Sequence, residues 1–269
     1  MTPTLTEREP RVLIKIGLIG YGKAGQAVAR VLSEDARYDL HWIARRQTQT
    51  EVASELPGQP PLIPLDTALS DDWLNAHPVD GLIDFSSRDS IHLYAPVARS
   101  RRIAIVSAIS AYEQEDLDLA RELAQHTRVL CSPNMTIGIN FMMVASTLLR
   151  RVAPFADVEI LEQHFRDKPE VSGTARTLAA SLELSEDKIT SLRLGGIVGH
   201  HEVIFGFPHQ TVRLIHNTIR REAFGTGAAY AMHALVQRPN GFYTFEDLLT
   251  HQLRQDLLAE ARGLSAESE

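Results

Sequence analysis

Short apolar runs alternate with amphipathic stretches through the first half of the chain. The first run, residues 12–19, is rich in β-branched side chains, which is typical of a central parallel strand. Helical periodicity follows at 26–32, and a strand at 39–44 completes a strand–helix–strand unit. The alternation then continues with strands at 81–85, 103–106 and 128–131 and helices at 91–100 and 113–126. It predicts an α/β fold of the Rossmann type, with a doubly wound parallel sheet.

Beyond residues 132–134 the pattern changes. The elements predicted there are a helix at 141–152, strands at 158–164, 191–193, 202–205 and 211–216, and helices at 222–236 and 245–258. The antiparallel strand signals predict a second domain of the α+β class.

The last helix can return to the first sheet, which sets the predicted domain division. We expect a first domain of residues 12–133 plus 238–269 and a second of residues 134–237. Residues 1–11 are predicted to be a disordered lead-in, and residues 261–269 a frayed tail.

A glycine-rich loop joins the first strand to the first helix. Its residues are Gly20, Tyr21, Gly22, Lys23, Ala24 and Gly25. A pyrophosphate must approach backbone N–H groups closely, and a side chain at either of the first two glycines would obstruct it. The third glycine allows the helix to pack on the strand. This spacing between a strand and a helix predicts dinucleotide binding, with a purely structural turn as the alternative.

The end of the second strand distinguishes between cofactors. An acidic residue there would bind the ribose 2′-hydroxyl of NAD, but this chain has Arg45 and Arg46. Guanidinium groups suit a 2′-phosphate, so we expect NADPH, with NADH possible. A solvated surface pair of arginines is the alternative.

Charge and composition narrow the class of partner. The formal net charge of -7 argues against nucleic acid, which needs a basic surface. No apolar run is long enough to span a bilayer, and the polar first eleven residues lack the apolar core of a signal peptide. Cys131 is the single cysteine, which fits a reducing cytoplasm. We expect a cytoplasmic enzyme with no membrane or nucleic-acid partner.

Five segments, taken together, are more specific than the glycine loop. They are residues 132–140, 162–168, 172–175, 196–203 and 216–227. In this order they resemble motifs of bacterial dihydrodipicolinate reductase, also called 4-hydroxy-tetrahydrodipicolinate reductase, of lysine and diaminopimelate biosynthesis. The resemblance extends from about residue 15 to residue 249.

The resemblance implies a reaction and its residues. In the family, a nicotinamide delivers a hydride to a six-membered cyclic imine dicarboxylate, with loss of the ring hydroxyl. His164 and Lys168 match the family's proton-transfer residues. Lys168 also matches a family residue that holds a substrate carboxylate, together with the loop of Ser172, Gly173 and Thr174. These roles are chemically reasonable, because the reduced ring must gain a proton and backbone N–H groups can cradle a carboxylate.

The same match implies further cofactor contacts and an assembly. The cofactor contacts are Phe85, Ser86, Ser87, Ser107, Ala108, Pro133, Asn134, Met135 and Arg221. A structural ion pair is the alternative role for Arg221. Family members are usually homotetramers joined through the sheet of the second domain, so we expect that domain to bind substrate and to oligomerise.

Two positions depart from the family pattern in the expected substrate pocket. Phe165 replaces the second histidine of a His-His pair, and Ile109 replaces a substrate-contacting threonine. Both changes would make the pocket less polar, which weakens recognition of a carboxylate. The hypothesis is a retained reductase chemistry with a different cyclic imine or related acid. The alternative is the ordinary family activity, with backbone amides holding the carboxylate.

Three other classes of function compete with a reductase: a metalloprotein, a cofactor-binding sensor and a semialdehyde dehydrogenase. Eleven histidines raise the question of a metal, but no spacing resembles a zinc site, so no metal is expected. A non-catalytic NADP-binding sensor stays open until turnover is measured. A semialdehyde-type dehydrogenase needs a catalytic cysteine in a loop, whereas Cys131 lies in a predicted strand.

Overall fold

A parallel sheet organises the first part of the molecule in the computed structural model, which describes residues 13–46, 52–53 and 55–266. The predicted lead-in at residues 1–11 lies outside this range. The strands of this first sheet are β1 (Ile14–Ile19), β2 (Tyr38–Arg45), β3 (Val52–Ala53), β4 (Pro61–Pro64), β5 (Gly81–Asp84), β6 (Ala104–Ser107), β7 (Arg128–Cys131) and β12 (Gly241–Tyr243). Their order is β12-β7-β6-β5-β1-β2-β4-β3, and every pair except β3–β4 is parallel.

Helices cover both faces of the first sheet. They are α1 (Lys23–Glu34), α2 (Leu65–Ala68), α3 (Asp71–Ala76), α4 (Ser90–Arg101), α5 (Gln114–Leu123), α8 (Glu222–Leu235) and α9 (Phe245–Ala266). One core cluster joins the sheet to α1, α8 and α9, and another joins it to α2–α5. The doubly wound α/β prediction is confirmed. The strand order reverses at β1, where β2 and β5 lie on its two sides, and ligands bind such sheets at this switch point.

A smaller mixed sheet organises the second part of the molecule. Its strands are β8 (Asp157–His164), β9 (Ile189–Arg193), β10 (Gly199–Phe207) and β11 (Gln210–Thr218), in the order β11-β10-β8-β9, and its helices are α6 (Ile137–Val152) and α7 (Gly173–Ser181). β10 is antiparallel to both of its neighbours, whereas β8 and β9 are parallel. The predicted α+β second unit is therefore confirmed as a fold.

The face of this second sheet that packs on α6 and α7 changes character along its length. Alternate residues of β8 point toward the helices, beginning with Val158 and Ile160, which join an apolar core with Val203 and Phe205. Further along β8 the same face carries Glu162 and His164, both buried. This polar end lies next to residues 133–136, where the chain passes from the first sheet to the second unit.

One sequence expectation requires correction. The tail was expected to fray from residue 261, but α9 continues to Ala266, while residues 267–269 lie outside the described range. Helix α8, which lies within the predicted second domain, packs against α1 and the first sheet through its small residues. A Cβ at Gly225 would lie 2.7 Å from Val31, so only glycine allows this approach. The domain division itself stays a prediction.

Among the described helices, none combines the length and the apolar character that crossing a bilayer requires.

Candidate active site

The carboxyl edge of the first sheet holds a cavity of about 360 Å³ at the switch point. Its lining residues are Ile19, Gly20, Tyr21, Gly22, Arg45, Arg46, Leu65, Ser86 and Ser87. The structure thus brings together the glycine loop, the two arginines and the two serines, which come from three separate parts of the sequence.

Gly20 and Gly22 of the loop have different roles. Gly20 has φ +96, and a Cβ there would lie 2.6 Å from the carbonyl oxygen of Phe85, so the fold itself requires glycine. Gly22 caps α1 with an ordinary φ of -75, and a Cβ there would meet nothing within 4 Å. The open space at the start of α1 is a cradle that a side chain would fill, and it fits the pyrophosphate of a dinucleotide.

The two arginines stand at the cavity's outer rim. Both are exposed, and Arg46 donates to the hydroxyl of Ser87 and pairs with Asp89 at 3.3 Å. Arg45 follows the last buried residue of β2, directly above the cavity. Their place and charge suit a phosphate on the adenosine side of a cofactor.

The other predicted cofactor residues lie in several places. Ser107 ends β6 beside β5 and Ala108 follows it, and the amide of Ala108 donates to the carbonyl of Asp84 at 2.9 Å. Lys23 and Arg221 line a different cavity of about 450 Å³, on the outer face of α1. Ala24 lies in the first turn of α1 and is half-buried.

Asp84 holds the segment that contributes Ser86 and Ser87 to the lining of this first cavity. It is fully buried, and its Oδ1 accepts hydrogen bonds from the amide of Ser86 at 2.9 Å and from the Ser86 hydroxyl. Burial raises the pKa of Asp84 to about 6, against the opposing effect of these bonds. Asp84 therefore holds the loop that carries Ser86.

Cys131 ends β7 beside this network. Burial raises the pKa of its thiol to about 12, so the sulfur stays protonated and is a poor nucleophile.

A second cavity, of about 210 Å³, lies beside residues 133–136, where the chain passes from the first sheet to the second unit. Its lining residues are Pro133, Asn134, Met135, Thr136, Ile139, His164, Thr174, Val198, Gly199, His201, His216, Thr218 and Phe224. The segment 133–135 was predicted as the domain junction, and it forms one wall. The opposite wall comes from the polar ends of β8, β10 and β11.

His164 is held by a buried carboxylate. Its Nδ1 lies 2.5 Å from Oε2 of Glu162, which has no exposed surface. Glu162 also accepts hydrogen bonds from Arg193 at 2.8 and 2.9 Å, from the Ser191 hydroxyl at 2.7 Å and from the Ser172 amide at 3.2 Å. Burial alone would raise the pKa of Glu162, but these bonds lower it to about 2. Glu162 is therefore ionised and can only accept from His164.

Arg193 connects this pair to the loop that follows β8. Its Nε donates to the carbonyl of Lys168 at 3.0 Å, and its Nη2 donates to the carbonyl of Glu170 at 2.7 Å. Lys168 is half-buried in that loop, outside the set of described residues that line the second cavity. One guanidinium thus orients both the carboxylate of Glu162 and the backbone around Lys168.

The start of α7 forms the third side of the site. Ser172 is buried, and its hydroxyl lies 2.8 Å from Nε2 of His201. The Thr174 hydroxyl donates to the side chain of Asn134 at 2.8 Å, which ties α7 to the domain junction. A Cβ at Gly173 would meet nothing within 4 Å, so the first turn of α7 is open to a ligand.

The two positions that depart from the family pattern lie apart from this cavity. Phe165 has 45% of its surface exposed, and Ile109 is packed into the interior at 9%. Neither belongs to the described residues that line the cavity of His164.

Sequence reasoning missed Glu162, Arg193 and His201. Strand alternation offered one signal, since Glu162 and His164 are two residues apart and share a face. The other two could not be assigned, because cross-strand register brings them in: His201 pairs with Glu162, and Arg193 pairs with His164.

Two family models match successive parts of the chain. The one described as "Dihydrodipicolinate reductase, N-terminus" matches residues 14–135, and the one described as "Dihydrodipicolinate reductase, C-terminus" matches residues 137–249.

Curated relatives are similar in sequence over most of the chain's length. The 4-hydroxy-tetrahydrodipicolinate reductase of Sinorhizobium fredii is 30% identical over 268 residues, which covers 88% of this chain and 97% of that protein. The reductase of the same name from Caldanaerobacter subterraneus is 28% identical over 251 residues, covering 85% and 94%. The solved dipicolinate-bound dihydrodipicolinate reductase from Paenisporosarcina sp. TG-14 shares the fold, with a TM-score of 0.72, 20% identity and coverage of 87% and 98%.

Proposed function

This chain belongs to the dihydrodipicolinate reductase family, and from that premise we propose that it reduces 4-hydroxy-tetrahydrodipicolinate with a hydride from NADPH. The substrate is a cyclic imine dicarboxylate of lysine and diaminopimelate biosynthesis. The observation that carries the proposal is the buried His164–Glu162 pair, which faces a cavity between the domain junction and the start of α7.

The protein's part in the reaction begins with His164. Because Glu162 is ionised, Nδ1 of His164 donates to it, which leaves Nε2 to exchange a proton with the substrate. This Nε2 lies on the cavity wall, 3.4 Å from where a Cβ of Gly199 would be. The carboxylate of Glu162 also fixes the orientation of the ring, so Nε2 of His164 is placed to give a proton to the reduced ring.

The start of α7 and Lys168 hold the substrate's carboxylates in this proposal. The first N–H groups of a helix have no partner within the helix, and the helix dipole favours an anion there. Gly173 and Thr174 supply those groups, and Thr174 lines the cavity. Lys168 supplies a positive charge from the loop that Arg193 holds, four residues beyond His164.

The first cavity supports NADPH as the cofactor. Arg45 and Arg46 are two cations at its rim, and no acidic side chain is among the described residues that line it. A 2′-phosphate would find two guanidinium groups there, whereas the ribose of NADH would lack its usual carboxylate partner. NADH is therefore the weaker of two usable cofactors.

A changed substrate has less support than the family reaction. That hypothesis depends on Phe165 and Ile109 lining the substrate pocket, and the first is 45% exposed while the second is packed in the interior. The sensor alternative predicts binding of NADPH without turnover.

We also infer a homotetramer. The face of the second sheet turned away from α6 and α7 exposes apolar side chains, with Leu192 at 38% and Ile215 at 54%. A sheet face of this kind is suited to packing against another copy.

The test is steady-state oxidation of NADPH and NADH with enzymatically generated 4-hydroxy-tetrahydrodipicolinate, beside monocarboxylate imines. We expect turnover of the dicarboxylate with a lower KM for NADPH than for NADH. His164→Gln should lower kcat by about 10²–10⁴-fold, the usual effect of losing a proton donor. His209→Gln is the matched control, since His209 is exposed in the β10–β11 turn and should be unaffected. Tight NADPH binding with no turnover on any imine would favour the sensor.

A further inference from the structure

A second histidine, His201, stands at the centre of the polar end of the second sheet. It is 5% exposed and lines the second cavity. Its ring meets that of His164 edge to face, with centroids 5.2 Å apart and an interplanar angle of 75°. Its Nε2 lies 2.8 Å from the hydroxyl oxygen of Ser172. His201 therefore touches both the proposed proton donor and the residue that precedes α7.

The surroundings of His201 keep it neutral. Burial, together with His164 and His216, lowers its pKa to about 3. Its Nδ1 is buried and has no hydrogen-bond partner within the described ranges. A buried N–H without an acceptor is rarer in proteins than a buried acceptor without a donor, so the proton belongs on Nε2. His201 then donates to the Ser172 hydroxyl and does not compete with His164 for a proton.

Each polar group of Ser172 has a hydrogen-bond partner. Its amide donates to Glu162 at 3.2 Å, its carbonyl accepts from the amide of Arg176 at 3.1 Å, and its hydroxyl faces His201. It is also 3% exposed, so it connects parts of the protein and has little surface to offer a ligand. Through Ser172, the start of α7 is attached to the same network that orients His164.

We propose that His201 is a positioning residue, which sets through Ser172 the distance between the carboxylate-holding start of α7 and His164. The proposal rests on the proposed function, since it concerns the carboxylate of that substrate. A displaced α7 would hold the carboxylate in the wrong place, so the loss should fall on substrate binding and leave cofactor binding unchanged.

The experiment compares His201→Leu, His201→Gln, Ser172→Ala and the double variant His201→Leu with Ser172→Ala. We expect His201→Leu and Ser172→Ala each to raise KM for the imine dicarboxylate about tenfold, with KM for NADPH unchanged. The double variant should be no worse than the worse single variant, because both remove the same bond. Glutamine keeps a neutral N–H donor and should restore most of the loss. His200→Leu is the matched control, since His200 lies on the opposite face and contacts Asn217.

Binding of dipicolinate alone, measured by calorimetry on the same proteins, separates the possible failures. We expect dipicolinate to bind His201→Leu about tenfold more weakly than the wild type. Turnover by the wild type with an unchanged KM in His201→Leu would overturn the positioning role and leave the proposed function standing. Additive losses without rescue by glutamine would also overturn it, since they indicate general damage. A wild type that neither turns over the imine nor binds dipicolinate would overturn both.

Discussion

Glu162 and His164 face the same way because they are two residues apart on β8, and the register of β9 and β10 adds Arg193 and His201 to them. His164 and Lys168 could be named from the sequence, because their segment resembles a family motif. The buried partners of His164 could not, since strand register depends on the folded sheet.

Because Glu162 is a buried charge, the pH dependence of the unfolding free energy tests the site at a single residue. Its folded pKa of about 2 lies below the ordinary value of 4.5, so its contribution to stability is complete above pH 4.5 and is lost as the pH falls toward 2. Between pH 5 and pH 3 the wild type should lose about 2 kcal/mol of unfolding free energy that Glu162→Gln does not lose.

At pH 7 the same variant leaves Arg193 without its carboxylate, which should cost about 3 kcal/mol. Urea unfolding of both proteins at the two acidic pH values and at pH 7 measures these differences. Glu159→Gln is the control, because Glu159 lies on the other face of β8 in an exposed pair with Lys188. Equal acid sensitivity in wild type and Glu162→Gln would contradict the ionised, buried carboxylate.

Secondary-structure elements built on apolar runs were predictable, and elements without such runs were not. β7 was predicted to the residue, and β1, β2 and β5 to within one or two, because buried parallel strands are nearly continuous apolar segments. α7 begins at Gly173, directly after Ser172, and is rich in alanine, so it offered little helical periodicity. β12 has three residues, and its pairing with β7 is a tertiary contact that local pattern does not report.

The turn between β1 and α1 separates a folding requirement from a binding requirement. Gly20→Ala places a Cβ 2.6 Å from a backbone oxygen at a φ of +96, so it should lower the unfolding free energy by about 1–3 kcal/mol or more. Gly22→Ala meets nothing within 4 Å at φ -75, so it should fold like the wild type and bind NADPH at least about tenfold more weakly.

Thermal unfolding and titration of NADPH fluorescence on the two variants test this pair. A normal NADPH affinity in a well-folded Gly22→Ala protein would remove the pyrophosphate from the start of α1. A Gly20→Ala protein as stable as the wild type would contradict the backbone conformation of the turn.

At the scale of the whole molecule, the two candidate binding cavities lie at the edges of the two sheets. The first is at the switch point of the first sheet, and the second is at the predicted domain junction. Asn134 joins them in the chain, because it lines the second cavity and follows β7 of the first sheet by three residues. The change from a doubly wound parallel sheet to an α+β unit was predictable from the two patterns of periodicity. The packing of α8 on the first sheet was not, because it depends on a close contact at Gly225.

Assembly is the second prediction at this scale. The wild type should have four times the chain mass of 29.9 kDa by light scattering at micromolar concentration. Ile215→Glu places a charge on the exposed face of the second sheet and should give smaller species, because a buried unpaired charge is costly. Leu257→Glu, an equally apolar exposed position on α9, should leave the mass unchanged. A monomeric wild type would contradict the homotetramer.

The reduction itself is tested most directly by following the hydride. The wild type is given NADPH with both C4 hydrogens of the nicotinamide replaced by deuterium, together with enzymatically generated 4-hydroxy-tetrahydrodipicolinate, and the product is analysed by mass spectrometry. The proposed function predicts a tetrahydrodipicolinate that carries one deuterium, formed in step with the NADPH consumed. An unlabelled product, or NADPH oxidation with no reduced ring, would contradict it.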